Sequence, residues 1–285
     1  MAPESIAPAR RAPGLSPSRA NDFARCPLLF RFRVVDRLPE PPSSAAARGT
    51  LVHAVLDKVF DLPAAERTPL AARELLGPAW DELQVAEPSL ASLFTDADGV
   101  REWLASAGTL LETYFRLEDP RRLEPAERET YLEVGLEDGP LLRGVVDRID
   151  VAPDGAVRVV DYKTGKAPSP RFRHEALFQV RFYGLMLWRA RGQVPRRLQL
   201  VYLGDGQVLH NDPAAGDLEE AEREVRATWE AIRTAGRRGD FPTRRGPLCA
   251  WCAHQAVCPE FGGTPPPLDP TRVELTLGVR PDGPA

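Results

Sequence analysis

Apolar residues in the first half of the chain recur at helical spacing. Leu51, Val52, Val55, Leu56, Val59 and Phe60 form one stripe of a helix whose signals begin at Thr50. Upstream, Ser16-Pro17-Ser18 supplies a serine cap and a proline tolerated in the first turn, predicting a helix through Phe23 to about Cys26. Pro39 to Ala47 reads as a proline- and alanine-rich linker, and residues 70–118 as two or three more helices broken near Pro88. The period then drops to two. Tyr131, Leu132, Val134 and Leu136 lie among acids, Asp138-Gly139 is a hairpin turn, and Leu141 to Val151 is the partner strand. Pro153-Asp154-Gly155 turns the chain into a short apolar strand, Val157 to Tyr162. A helix follows over 172–191, with Leu177, Val180, Tyr183, Gly184, Leu187 and Trp188 on its buried side. Strands at 198–203 and 208–210 flank a Gly204-Asp-Gly206 turn, and a charged amphipathic helix spans 217–236.

This order predicts an α/β chain, a mixed sheet core flanked by helices with an N-terminal helical lobe. The expected divisions are a disordered lead at 1–14, a helical lobe at 15–125 that includes Cys26, a sheet-bearing core at 126–236, a cysteine segment at 237–261 and a flexible tail at 262–285. No run of eighteen apolar residues predicts a membrane span, and the first residues lack an apolar signal core, so a cytoplasmic protein is expected.

Charge changes the picture locally. The net charge is −4, which argues mildly against a nucleic-acid binder, but arginines cluster at 19–37, 189–197 and 237–245. Of 37 basic residues only Lys58, Lys163 and Lys166 are lysines. Arginine cannot replace lysine where a compact, tunable amine is needed, so two of the three mark Asp161-Tyr162-Lys163-Thr164-Gly165-Lys166 as chemically unusual.

Asp147 lies on one strand of a predicted hairpin and Asp161 ends the next, so the two fall side by side near a sheet end. Adjacent aspartates repel, and a divalent cation such as Mg²⁺ or Mn²⁺ resolves the conflict, with the Tyr162 carbonyl as a further oxygen. Such an ion both acidifies an attacking water and neutralises a phosphate, with the Lys163 ammonium beside it. Glu133, on the preceding strand, is a candidate for a second ion, while Asp150 and Asp154 read as turn and surface residues. A Walker A loop is absent, so no ATPase motor is implied.

Gly144-Val-Val-Asp147-Arg-Ile-Asp150 and Val160-Asp-Tyr-Lys-Thr-Gly165 resemble the PD-(D/E)XK nuclease superfamily and, within it, the RecB-family exonucleases. The resemblance implies a restriction-endonuclease-like fold and a metal-dependent deoxyribonuclease acting on DNA, single-stranded or with free ends, in repair or recombination. It assigns catalysis to Asp147, Asp161 and Lys163. His53 in Gly49-Thr-Leu-Val-His53 completes the metal site, and Gln179 and Tyr183, four apart on one helix face, hold the strand. It also implies a helicase or recombination partner. Phe23, Phe30, Phe32 and Phe172, lying among arginines, are candidates for base stacking. Two other readings stay open: a non-catalytic DNA-binding or scaffolding subunit, and a zinc-stapled nuclease acting on RNA.

The four cysteines are Cys26, Cys249, Cys252 and Cys258, a set that suits either tetrahedral zinc or an iron–sulfur cluster. Spacing does not choose between them. The resemblance to AddB-type nuclease domains and CRISPR-associated adaptation exonucleases implies a 4Fe-4S cluster, with structural Zn²⁺ as the alternative. Its expected role is a staple closing a very long loop and shaping the DNA channel; His254 within the cysteine loop reads as a surface residue.

Overall fold

The computed structural model describes residues 12–282. They divide into two compact units: one of residues up to 39 with 133–143 and 224 onward, the other of residues 40–132 and 144–223. The helices are α1 (Pro17–Arg25), α2 (Pro27–Phe30), α3 (Ser44–Val59), α4 (Pro69–Glu74), α5 (Leu76–Ala86), α6 (Ala97–Leu117), α7 (Arg173–Arg191), α8 (Ala215–Arg238) and α9 (Pro270–Leu277). The strands are β1 (Gly14–Leu15), β2 (Glu127–Gly135), β3 (Leu141–Val151), β4 (Val157–Lys163), β5 (Arg197–Tyr202) and β6 (Gln207–Asn211). The sheet runs β1-β3-β4-β5-β6, with β2 also on β3.

In the unit of residues 40–132 and 144–223, the sheet is layered between helices. β3 and β4 are antiparallel, β4 and β5 parallel, and β5 and β6 antiparallel. A parallel neighbour demands a crossover, which α7 supplies between β4 and β5. β4 is central and almost wholly buried, so it reads as a continuous apolar run. Its alternate residues face different layers. Val160 and Tyr162, with Val201 and Leu203 at β5, pack on Leu51, Val52, Val55, Leu56 and Val59 of α3 and on Trp80, Trp103, Leu111 and Tyr114 of α5 and α6. Each fully buried aliphatic side chain here contributes about 1.5–3 kcal/mol. Asp161 and Leu200, partners in the β4–β5 ladder, point the other way, towards α7. α3 begins at Ser44 rather than Thr50 because the Ser43 hydroxyl accepts the Ala46 N–H as a cap.

The other unit corrects several expectations. Residues 1–11 of the expected lead lie outside the described residues, but Gly14 and Leu15 form β1 and pair in parallel with Leu141 and Leu142. Gly14 is required there, since a Cβ would stand 2.5 Å from the Leu141 carbonyl oxygen. Cys26 belongs to this unit, with the late cysteines, and not to the helical lobe. The expected flexible tail contains α9, with Val273 and Leu277 fully buried. Asp269 caps it by accepting the Thr271 and Arg272 N–H groups, Pro270 sits in its first turn, and Gly278 ends it at φ +66°. Those signals are in the sequence but are masked by the prolines around them. The Arg31 guanidinium, on a π-helical turn at Arg31–Val35, bonds both Asp36 at 2.9 Å and the Pro266 carbonyl, tying the tail down further.

Leu277→Ala tests that packing. The side chain approaches the bare Cα of Gly236 so closely that an added Cβ would meet it at 2.8 Å. Denaturant unfolding of the variant is expected to show a loss of about 2–5 kcal/mol at unchanged slope, whereas a loose tail would register none.

Candidate active site

The β3–β4 ladder pairs Arg148 with Val160, Ile149 with Val159 and Asp150 with Arg158. One further step in that register sets Asp147 opposite Asp161. There the Asp147 carboxylate itself accepts the Tyr162 N–H at 2.7 Å. Asp161 is 1% exposed, and its charge is met by the Lys163 ammonium at 2.6 Å. Gln179 on α7 locks the pair: its amide nitrogen donates to Asp161 at 2.7 Å, and its oxygen accepts from Lys163 at 2.7 Å. The same nitrogen lies 3.1 Å from the Tyr183 hydroxyl one turn on.

From the opposite layer, α3 brings in His53. Its Nε2 lies 3.0 Å from the Tyr162 carbonyl oxygen and its Nδ1 3.4 Å from Asp147. The structure therefore brings together every residue expected at the site: His53, Asp147, Asp161, Tyr162, Lys163, Gln179 and Tyr183. It adds one that the sequence reading missed. Donor atoms of His53, Glu129 and Asp147 all lie within 4.8 Å of one another, a spacing that suits one cation.

Glu133, the expected second-ion candidate, is instead bound to Arg143 at 2.7 Å. Glu127 on the same strand takes Arg191. Glu129 is set apart by its backbone, which is left-handed at φ +43°, a strained conformation for a side chain of this type. Nothing in the local sequence distinguishes it from its two neighbours.

The electrostatics are those of a site short of positive charge. Burial, and then repulsion from Asp147, push the Asp161 carboxyl up to about 6 despite Lys163. Partial burial and Asp147 push Glu129 up to about 7. Burial alone would lower the His53 imidazole, but the Asp147 carboxylate, with Asp161 and Glu129 beyond, holds it above its ordinary value. Two aspartates, a glutamate, an imidazole and a main-chain carbonyl are the donor chemistry of a hard divalent cation.

Tyr162 carries main-chain groups on both sides of this arrangement and is anchored from behind. Its hydroxyl bonds the Arg148 guanidinium, which is 1% exposed and forks onto Glu118 at 2.8 and 3.0 Å. Asp150, expected as a turn residue, belongs to this network: it is half-buried and accepts from Arg148 at 3.2 Å and Arg158 at 2.9 Å. Asp154 is the exposed turn residue expected, capping the Ala156 N–H.

In the other unit, Cys26, Cys249, Cys252 and Cys258 are unpaired, half-buried and line a single pocket. Burial pushes the Cys258 thiol up, and the Cys26 and Cys252 sulfurs beside it act in the same direction. Such a set of convergent thiols fits a thiolate-ligated metal group. His254 is not a surface residue: it is 4% exposed and packs edge-on against Phe32 at 5.3 Å. Phe30 and Phe32, expected as stacking residues, are buried in this unit, and Phe23 lies edge-on to Phe30 at 5.5 Å. Phe172 is exposed with the Arg171 guanidinium over its ring at 4.4 Å.

A buried carboxylate paired with a lysine at the end of a mixed sheet, beside side chains spaced to hold one cation, marks a candidate active site on an α/β fold. Residues 14–259 match the PD-(D/E)XK nuclease superfamily, and the chain belongs to it. It is 27% identical over 190 residues to the Gene 69 protein of Mycobacterium phage D29, covering 57% of this chain and 66% of that one. It is 29% identical over 170 residues to a subunit of the ATP-dependent helicase/deoxyribonuclease of Streptococcus equi subsp. zooepidemicus, covering 58% of this chain. The match spans only 16% of that much longer polypeptide. A crystal structure from Eubacterium rectale, named as a "putative exonuclease", shares the fold at a TM-score of 0.57 and 16% identity, covering 90% of this chain and 94% of that one.

Gly144 offers a test of the geometry. A Cβ at this position would stand 2.6 Å from the Tyr183 ring. Gly144→Ala is expected to displace Tyr183 and loosen Gln179 while leaving the aspartates in place. A structure of the variant should show the Tyr183 hydroxyl moved out of hydrogen-bond distance of Gln179, with Tm lowered, and Tyr183→Phe should lower Tm less.

Proposed function

We propose that the chain is a divalent-metal-dependent deoxyribonuclease, acting on single-stranded or end-bearing DNA. The observation that carries this reading is the buried Asp161–Lys163 pair at 2.6 Å, bridged by Gln179, directly beside Asp147 and His53. His53, Asp147, Asp161 and the Tyr162 carbonyl hold Mg²⁺ or Mn²⁺, and Glu129 joins them. The bound ion supplies Lewis-acid polarisation of the phosphodiester and a more acidic attacking water. Lys163 places a compact positive charge where the phosphate gathers charge, and Gln179 keeps its ammonium aimed. Gln179 and Tyr183 contact the bound strand. The preference for DNA and for free ends is supported by relatives whose names include deoxyribonuclease and exonuclease, as is the expectation of a helicase partner. The four cysteines hold a 4Fe-4S cluster, with structural Zn²⁺ as the alternative, and a role in repair or recombination is part of the same proposal.

The deciding experiment is digestion of end-labelled single- and double-stranded DNA, and of RNA, with and without Mn²⁺. Asp161→Ala is expected to lower kcat by on the order of 10²–10³-fold, and Lys163→Arg to fail to restore Lys163→Ala, because the planar guanidinium does not reproduce a point charge. Equal cleavage by the parent and Asp161→Ala would end the proposal.

Metal binding should also be read in stability. The Asp161 and Glu129 carboxyls are raised, so the folded chain holds their protons more tightly than the unfolded chain, whose carboxyls titrate near 4. Their ionisation therefore costs stability as pH climbs from about 4 to about 7. His53, also raised, contributes only while protonated and loses that contribution as pH climbs from its ordinary value of 6.5 upward. A divalent ion offsets all three. The rise in Tm on adding Mn²⁺ is expected to grow between about pH 5 and pH 8, and to shrink in Asp147→Asn.

A further inference from the structure

We propose that the face carrying the cysteine loop is a stacking platform for single-stranded DNA, with Trp251 as its principal base contact; this rests on the nuclease reading above. Trp251 is 79% exposed. The other four tryptophans are buried or half-buried, so this indole stands in water without the packing that normally holds the residue. Its backbone is held by hydrogen bonds on both sides. It lies between Cys249 and Cys252 on a 3₁₀ turn closed by the Cys252 N–H on the Cys249 carbonyl at 3.2 Å. The Gln255 amide donates to the same carbonyl at 2.7 Å.

Leu248 and Phe261, 50% and 45% exposed, line the same pocket and widen the apolar surface. Arg25 and Arg244 line it too and carry no carboxylate partner among the described residues, while the one acid, Glu260, is bonded to Thr243. A flat, exposed ring on a hydrogen-bonded turn, flanked by guanidinium charges that no carboxylate neutralises among the described residues, is what an unpaired strand requires: each base offers a π-face and each linkage a negative charge. Against Arg25 and Arg244 the lining holds a single carboxylate, Glu260, so the charge balance of this face suits a polyanion.

The test uses the full chain with its cysteine-bound metal, in an Asp161→Ala background so that DNA is not consumed. A labelled oligothymidylate and a blunt duplex of equal length are titrated by anisotropy. Trp251→Ala is expected to weaken oligothymidylate binding roughly tenfold, on the scale of one lost base stack. Trp251→Phe should retain most of the affinity, and the duplex should be insensitive to both. Binding should quench tryptophan fluorescence in the parent and not in Trp251→Phe. Unchanged oligothymidylate affinity in Trp251→Ala overturns the platform, as does equal weakening for the duplex. If Trp251→Ala loses its metal, as read by metal analysis, the Trp251→Phe quenching result decides. Cleavage by the Asp161-intact parent is scored separately, so failure of the platform and failure of the nuclease reading are told apart.

Discussion

The structure turns on one buried negative charge. Asp161 is almost fully removed from water, and an isolated carboxylate in that position would cost several kcal/mol. The ammonium of Lys163, two residues along the same strand, compensates it, and the Gln179 amide holds both partners in a fixed relation. That is enough for Asp161 alone but not for Asp161 beside Asp147 and Glu129, so two carboxyls sit far above their ordinary range. Three acids in such a place, with one lysine and one imidazole against them, leave the site short of positive charge.

The layers of the fold each contribute to that arrangement. α7 faces one side of β4 and carries Gln179 and Tyr183 to Asp161; α3 faces the other and carries His53 to the Tyr162 carbonyl. The alternation of a strand makes this economical, because consecutive residues Asp161 and Tyr162 serve opposite layers. Tyr162 then needs a rigid seat, since its N–H holds Asp147 and its carbonyl meets His53. Arg148 gives it one, with the guanidinium bonded to the phenol, forked onto Glu118 and stacked near the Phe60 ring at 5.8 Å.

What could be read from the sequence follows the strength of the local signals. The hairpin turn at Pro153-Asp-Gly155 and the apolar run of β4 fix a register, and register alone sets Asp147 across from Asp161. Gln179 and Tyr183 follow from helical spacing. Glu129 does not, because three glutamates share β2 and only the tertiary pairing of Glu127 and Glu133 with arginines leaves the third for the site. Phe30, Phe32 and His254 were misplaced for a related reason: flanking arginines and cysteines suggest a surface, yet Arg31 turns inward onto Asp36 and draws its neighbours into the core. α9 was hidden by prolines whose role, beside Asp269, is to start a helix.

The uneven use of the two basic residues gains a physical meaning from these positions. Arginine serves as a structural connector wherever several oxygens must be satisfied at once. Arg67, 4% exposed, reaches the carbonyls of Phe60, Leu62, Pro120 and Leu123 as well as Glu124, and Arg148 and Arg31 bind their surroundings in the same manner. A planar fork of five donors suits that task and holds its charge under burial. Lys163 meets a different demand. Its single nitrogen sits within 2.7 Å of both Asp161 and Gln179 while the side chain stays 31% exposed on the open side. A compact ammonium suits a place between those two partners that still presents charge outward, which a planar guanidinium would fill differently.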